Sequence, residues 1–116
     1  MNINDLYALY DSRTGEQAKR DKNASSGTTV VKAHGDISGS TEITALDSAK
    51  LGVTVYNNTN GIVYIKLGGG TVSSTSFSVL LRSNDYYEAP YRFEGSITAI
   101  KDSSTSSGNI YITEFK

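Results

Sequence analysis

Val53–Asn57 (VTVYN) and Ile62–Leu67 (IVYIKL), separated by Asn58–Gly61 (NTNG), decide the fold of this chain. Both outer runs are rich in β-branched and aromatic residues, which favour strands. The Asn-Gly dipeptide between them accepts the positive φ angles that a tight hairpin turn demands. The sequence therefore predicts a β-hairpin at this position.

The same pattern continues on both sides of this pair. Alternation of apolar and polar residues places Phe77, Val79 and Leu81 on one face of their strand. It likewise places Ile97 and Ala99 opposite Thr98 and Ile100, and Ile110 and Ile112 opposite Tyr111 and Thr113, so that one face of each strand is expected to face the core. No helical pattern lies between the runs, so they predict an all-β fold of about eight strands, an antiparallel β-sandwich or a small barrel. The expected strands are Thr28–Ala33, Glu42–Leu46, Leu51–Asn57, Ile62–Leu67, Ser76–Leu81, Asp85–Ala89, Ser96–Lys101 and Asn109–Phe115.

Composition limits the function classes. With 116 residues the chain has room for one domain, and without cysteine it forms neither disulfides nor thiolate metal sites. A net charge of −1 provides no broad basic field for nucleic acid or for an anionic membrane. We expect no signal peptide at the N-terminus and no membrane span, because no apolar run reaches about 18 residues.

Residues 1–27 differ in kind from the expected β domain at residues 28–116. Ile3, Leu6 and Tyr10 have helical spacing, which predicts a short helix near Asn4–Asp11, and a polar tether follows. Such a segment buries too little apolar surface to order itself, so we expect a docking arm held by its own domain, by a sister subunit or by a larger assembly. The expected apolar anchors are Ile3, Leu6, Tyr7, Leu9 and Tyr10, and the expected polar contacts are Arg13, Lys19 and Arg20.

No constellation of residues predicts catalysis. His34 is the single histidine, and no Gly-x-Ser-x-Gly motif accompanies it. Glu88 and Glu94 could flank a sugar, but charged residues at strand edges are far commoner than glycosidase pairs. The acidic residues are scattered and the loop Gly68–Thr75 lacks phosphate-binding spacing, so we expect no metal, no cofactor and no enzymatic activity.

The tyrosine cluster Tyr86, Tyr87 and Tyr91 is the most distinctive local feature. Tyrosine combines an apolar ring with a polar hydroxyl, so exposed tyrosines form protein interfaces or stack on sugars. The sequence leaves open whether these three cap the core or form an interface. Pro90 is expected to close a turn, because proline is poorly tolerated inside a central strand.

Four elements in order carry a resemblance that runs from Leu51 to Phe115. They are YNNT at 56–59, VYIKLG at 63–68, STSFSV at 74–79, and YYEAPY at 86–91 leading to GSITAI at 95–100. This stretch resembles short virion-associated proteins encoded by tailed bacteriophages. The resemblance implies a structural role in the virion, often on or near the head, with no catalytic residues.

The sequence-based hypothesis is therefore a virion structural protein of the capsid decoration (cement) kind. It would bind the major capsid protein or another virion protein, form a homo-oligomer, and contact neither nucleic acid nor membrane. The alternative hypothesis is a carbohydrate- or receptor-binding module of a phage fibre or tail, acting through Tyr86, Tyr87 and Tyr91.

Overall fold

A computed structural model of the chain describes residues 24–116, which form two four-stranded antiparallel sheets. Sheet 1 has the strand order β1-β8-β3-β6, and sheet 2 has the order β2-β7-β4-β5. The strands are β1 Gly27–Ala33, β2 Thr41–Thr44, β3 Gly52–Thr59, β4 Val63–Leu67, β5 Val79–Leu81, β6 Tyr86–Glu88, β7 Ile97–Lys101 and β8 Gly108–Phe115. The backbone N–H groups of Ser25 and Ser26 already donate to the Lys116 carbonyl, so the described body begins slightly before residue 28.

The strand order identifies the architecture. Eight antiparallel strands arranged 1-8-3-6 over 2-7-4-5 make the double Greek key of a jelly roll. The prediction of an all-β sandwich is confirmed, and the two sheets do not close into a barrel. Within residues 24–116 the one helical segment is a 3₁₀ turn at His34–Ile37, which the sequence analysis did not predict. The helix expected near Asn4–Asp11 lies outside the described residues.

The core lies between the two sheets and follows the predicted alternation. On β8, Ile110 and Ile112 are buried while Tyr111 points to the opposite side. On β7, Ile97 and Ala99 are fully buried, as expected. The buried apolar cluster consists of Ile37, Ile43, Val53, Val55, Val63, Ile65, Leu81, Ala89, Ile97, Ala99, Ile110 and Ile112.

The prediction of a β3–β4 hairpin is wrong. β3 pairs with β6 and β8 in sheet 1, whereas β4 pairs with β5 and β7 in sheet 2. Residues 60–62 therefore carry the chain across the sandwich instead of folding it back on its own strand. The consecutive strands that do pair with each other are β4 and β5.

The buried side chain of Asn57 explains why the chain crosses here. Its Nδ2 donates to the carbonyl oxygens of Gly61, Leu81 and Arg82 at 2.9–3.0 Å. Its Oδ1 accepts from the backbone N–H of Thr59 at 3.0 Å and from the Thr59 hydroxyl at 2.6 Å. One carboxamide thus ties the end of β3 to the end of β5 and fixes the arch between the sheets.

Asn60 and Gly61 have roles other than those that the hairpin prediction gave them. Neither residue has a positive φ. The Asn60 Oδ1 accepts from the backbone N–H groups of Ser106 and Ser107, which joins the arch to the β7–β8 turn. A Cβ at position 61 would lie 2.5 Å from the buried Thr105 Oγ1. Glycine is therefore needed so that the backbone of the arch can pass close to Thr105, and not for a turn conformation.

The glycine-rich loop between β4 and β5 covers the outer face of sheet 2. Gly68, Gly69 and Gly70 have φ angles of 86–89°, which favour glycine. The loop is pinned to the sheet by hydrogen bonds from Thr98 Oγ1 to the Gly70 carbonyl and from Lys66 Nζ to Ser76 Oγ. Thr98 is consequently buried although it points away from the core.

Phe77 does not occupy the face that the alternation predicted. It precedes β5 and is 40% exposed, and its ring centroid lies 5.0 Å from that of Tyr64 on the outer side of sheet 2. The alternation holds only where residues are in the strand, and this strand begins at Val79.

Lys50 lies between β2 and β3 and is fully buried. Its Nζ donates to the Gly95 carbonyl at 2.8 Å and to Thr44 Oγ1 at 3.2 Å. Burial lowers the pKa of the Lys50 ammonium, and the nearby charges of Glu114, Asp47 and Glu42 partly oppose that shift. The side chain thus links β2 to the segment that enters β7.

We predict that Asn57→Ala lowers the free energy of unfolding by about 3–5 kcal/mol, because it leaves several buried backbone groups without partners. The matched control is Asn58→Ala, since Asn58 is the next residue of β3 and is exposed. The control should change stability by no more than about 0.5 kcal/mol. Urea unfolding of both variants measures the difference, and equal losses would show that the carboxamide does not hold the arch.

The buried lysine predicts a pH effect with a definite sign. The Lys50 pKa is lower in the folded chain than its ordinary value of 10.5, so the unfolded chain binds more protons between the two values. Stability from this residue therefore rises with pH through that window. In urea unfolding from pH 7 to pH 10, the wild-type chain should gain stability relative to Lys50→Met; a difference that does not change with pH would contradict the assignment.

Candidate interaction surface

The outer face of sheet 1 carries a row of apolar and aromatic side chains across all four strands. The pairing register places Val31 of β1 opposite Tyr111 of β8, Tyr111 opposite Tyr56 of β3, and Tyr56 opposite Tyr86 of β6. Val31 is 51% exposed and Tyr86 is 61% exposed, and the two central tyrosines are half-buried. We call the outer face of sheet 1 with this row the tyrosine face.

The rings in the centre of the row support one another. The centroids of Tyr56 and Tyr111 lie 6.2 Å apart with their planes tilted by 34°, within the range of favourable aromatic pairs. The Tyr56 hydroxyl donates to Asn84 Oδ1 at 3.1 Å, and Asn84 adopts a φ of 69° in the turn before β6. This pairing and this hydrogen bond hold the central rings in place.

Two further rows lie beside the tyrosines. The first is hydroxyl-rich, with Thr29, Thr113 and Thr54 in register and Glu88 at its end. The Thr29 and Thr113 hydroxyls are 2.9 Å apart. In the second row, the Phe115 ring packs over Gly27 and Gly52, where a Cβ on Gly27 would lie 3.1 Å from the ring.

The tyrosine face is almost free of formal charge. Among its paired positions within residues 24–116, Glu88 is the only carboxylate, and no lysine or arginine is present. Tyrosine, threonine and asparagine offer large contact area together with hydroxyl and amide groups, at a low cost in side-chain entropy. Depletion of charge with enrichment of tyrosine is the composition of the centre of a protein interface.

The structure separates the three tyrosines that the sequence analysis grouped. Tyr86 lies on the tyrosine face, whereas Tyr87 points to the opposite side and packs against the core. Burial raises the pKa of the Tyr87 hydroxyl. Tyr91 is 60% exposed and follows Pro90 in the turn that is closed by a hydrogen bond from the Phe93 N–H to the Pro90 carbonyl. Tyr87 is therefore the core cap, and the expected turn at Pro90 is present.

The sequence analysis missed Val31, Tyr56 and Tyr111 as members of one surface. Tyr56 and Tyr111 are far apart in sequence, and only the β3–β8 register brings them together. The available signal for the two tyrosines was the alternation itself, because Tyr56 and Tyr111 each lie between buried neighbours of their strand. No such signal marks Val31, since β1 has no buried residue. The eight anchors expected in the arm lie outside the described residues: Ile3, Leu6, Tyr7, Leu9, Tyr10, Arg13, Lys19 and Arg20.

A depression on the sheet 2 side is a separate feature. It has a volume of about 320 Å³ and lies between the glycine-rich loop and the turn after β7. The Tyr64 hydroxyl donates to Asp102 Oδ1 at 3.2 Å, and Asp102 also accepts from the hydroxyl and the N–H of Ser104. These bonds from Ser104 lower the pKa of Asp102, and burial raises the pKa of Tyr64. The depression is lined by Ser38, Tyr64, Ser73, Ser74, Ile100, Lys101, Asp102 and Ser103.

His34 and Glu88, which were considered for catalysis, gain no catalytic partner in the described part of the chain. The Nδ1 atom of His34 is buried without a hydrogen-bond partner there, and the Asp36 carboxylate accepts from the Ala33 N–H. Glu88 lies on the tyrosine face beside the threonines. Residues 24–116 contain no group of three or more metal-ligating side chains.

Comparison with known proteins adds no assignment. No protein-family model, curated protein or solved structure matches the chain significantly. Among residues 24–116, no helix has the length and apolar character needed to span a membrane.

Proposed function

We propose that this protein is a non-catalytic virion structural protein of the capsid decoration kind, which docks on another protein surface through its tyrosine face. The observation that supports the proposal is the row of Val31, Tyr111, Tyr56 and Tyr86 on a sheet face whose paired positions include one carboxylate, Glu88, and no lysine or arginine. The virion setting rests on the resemblance described above. The partner in this proposal is the major capsid protein or another virion protein.

The energetics of such a face favour a protein partner. Tyrosine is among the residues that dominate binding energy when they enter a pocket at the centre of an interface. The central rings are already held by each other and by Asn84, so they lose little freedom on binding. The surrounding threonines and asparagines provide the polar contacts expected around an apolar centre.

The jelly-roll topology is compatible with this proposal but does not decide it. Jelly rolls occur in viral capsid domains and also in lectin domains. A likeness at the level of the fold carries no function by itself, so the assignment depends on the chemistry of the tyrosine face.

The second candidate function, carbohydrate binding, is favoured by one specific observation. Hydroxyl groups of Thr29, Thr54 and Thr113 and the carboxylate of Glu88 lie in the row next to the rings. Such groups offer donors and acceptors to sugar hydroxyls while a ring stacks on the sugar face. The tyrosine face would then bind a glycan instead of a protein.

The central prediction compares two tyrosines of equal exposure. Tyr86→Ala removes a ring from the tyrosine face, whereas Tyr91→Ala removes a ring from the turn after Pro90. We expect Tyr86→Ala to weaken the binding of the protein to purified virion particles about tenfold or more. Tyr91→Ala should change that affinity by less than about twofold. Sedimentation of the labelled protein with the particles measures both affinities.

The outcome separates the candidates. Equal effects of the two substitutions would show that the tyrosine face is not the docking surface. Loss of particle binding in the presence of a free glycan, together with direct binding to that glycan, would support the carbohydrate function.

A second prediction concerns the arm, whose role as an additional anchor is also part of this proposal. Because Ser25 and Ser26 hydrogen-bond to Lys116, a deletion that preserves sheet 1 has to stop at residue 23. We expect the chain lacking residues 1–23 to melt within about 3 °C of the full chain but to bind particles at least about tenfold more weakly. A truncated chain that fails to fold would assign the arm to the core, and one that binds fully would remove it as an anchor.

A further inference from the structure

The outer edge of β1 is the longest open sheet edge in the described part of the chain. β1 has seven residues and pairs only with β8 among the strands of residues 24–116. The other edge strands are shorter: β5 and β6 have three residues each, and β2 has four with an irregular register. Proteins commonly shield long regular edges, since a row of free backbone groups is a template for another strand.

The side chains of β1 are also open on both faces. Val30 is 45% exposed on the inner side and Val31 is 51% exposed on the outer side. β1 therefore contributes little to the core of its own chain, and ordering its backbone carries an entropic cost. A strand of this kind gains stability when a second strand covers its edge.

The hydrogen bonds at the start of β1 fix which backbone groups are free. The Ser26 N–H donates to the Lys116 carbonyl at 3.2 Å, and the Lys116 N–H donates to the Ser26 carbonyl at 3.0 Å. In an antiparallel pair such exchanges alternate, so Ser26, Thr28, Val30 and Lys32 direct their backbone groups toward β8. Gly27, Thr29 and Val31 consequently direct theirs toward the open edge.

The open edge has a defined end. The Ala33 N–H, which would be the next outward donor, already donates to Asp36 Oδ2 at 3.0 Å. Outward donors are thus available at Gly27, Thr29 and Val31, and Thr29 is the midpoint of this set. Only a partner strand centred on Thr29 uses all three without requiring the Ala33 N–H.

We propose that the β1 edge pairs with the β1 edge of a second copy of this chain, antiparallel and with the two-fold axis at Thr29. The pairs are Thr29 with Thr29, Gly27 with Val31, and Thr28 with Val30. Each of the three outward residues supplies one donor and one acceptor per chain, so the two chains exchange six backbone hydrogen bonds. The two copies of sheet 1 become one continuous eight-stranded sheet.

The side chains are compatible with this register. Thr29 meets its symmetry mate, and paired threonines stabilise neighbouring strands. Lys32 of one chain lies opposite Ser26 of the other, so the charge of Lys32 does not face a like charge. The threonine rows of the two tyrosine faces meet end to end, and a two-fold contact of this kind closes after two chains.

This inference deepens the proposed function, since it assigns the interface through which the assembly protein forms an oligomer. It is nevertheless tested without any partner. Purified protein reports the β1 pairing, whereas particle binding reports the tyrosine face, so the two proposals can fail separately.

The experiment measures self-association of the full chain by sedimentation equilibrium. Edge pairing buries a small area, so we expect a dimer with a dissociation constant of about 1–100 µM. Thr29→Glu and Thr29→Lys each place like charges opposite themselves and should weaken the dimer about fivefold or more. An equimolar mixture of the two variants should restore dimerisation, and the control Thr29→Val should dimerise within about threefold of the wild type.

Two further measurements test the register of the pairing and the identity of the strand that covers the β1 edge. Residue 30 lies opposite Thr28 of the other chain in this register, so Val30→Glu should weaken the dimer less than Thr29→Glu does. A larger effect of Val30→Glu would overturn the proposed register. Amide hydrogen exchange at Thr29 and Val31 should slow as the dimer forms. A chain that stays monomeric at about 1 mM would overturn the proposal, and slow exchange in that monomer would assign the edge to another segment of the same chain.

Discussion

The Asn57 carboxamide is the constraint on which the rest of the structure depends. A buried amide is tolerated only when its donors and acceptors are matched, and every polar atom of this side chain has a backbone or hydroxyl partner. The partners lie on either side of the sandwich, at the ends of β3 and β5. These hydrogen bonds hold the arch that carries the chain from β3 in one sheet to β4 in the other, as the jelly-roll order requires.

The two outer faces of the sandwich have different environments as a result. β4 and β5 pair with each other in sheet 2, and the long loop between them lies across the outer face of that sheet. No comparable loop is pinned across sheet 1 by the hydrogen bonds of residues 24–116. Among the described residues, the sheet face without such a loop is thus the one on which the tyrosines are aligned, which is why we propose docking on that side.

Much of the fold could be predicted from the sequence, because two-residue alternation is a local property. The eight strands were located to within a few residues, and Ile97, Ala99, Ile110 and Ile112 were assigned correctly to the core face. The partner of each strand was not a local property. The Asn60-Gly61 dipeptide carries the same signal in a hairpin and in an arch, and the difference is made by Asn57 and Thr105, whose contacts are formed only in the folded chain.

The candidate site was predictable in part for the same reason: Tyr86 was identified, while Tyr56 and Tyr111 join it through the register.

The alternation along β3 and β8 also separates two kinds of sequence change. Substitutions at Tyr56 and Tyr111 alter the surface while their neighbours Val55 and Ile112 keep the core intact. The insertion or deletion of one residue in either strand exchanges the two sets, since it turns every side chain beyond it to the other face. Single substitutions can therefore change the surface without disturbing the core, whereas the core constrains the lengths of these strands. The same property makes sheet 1 a scaffold on which new binding surfaces can be selected without redesigning the interior.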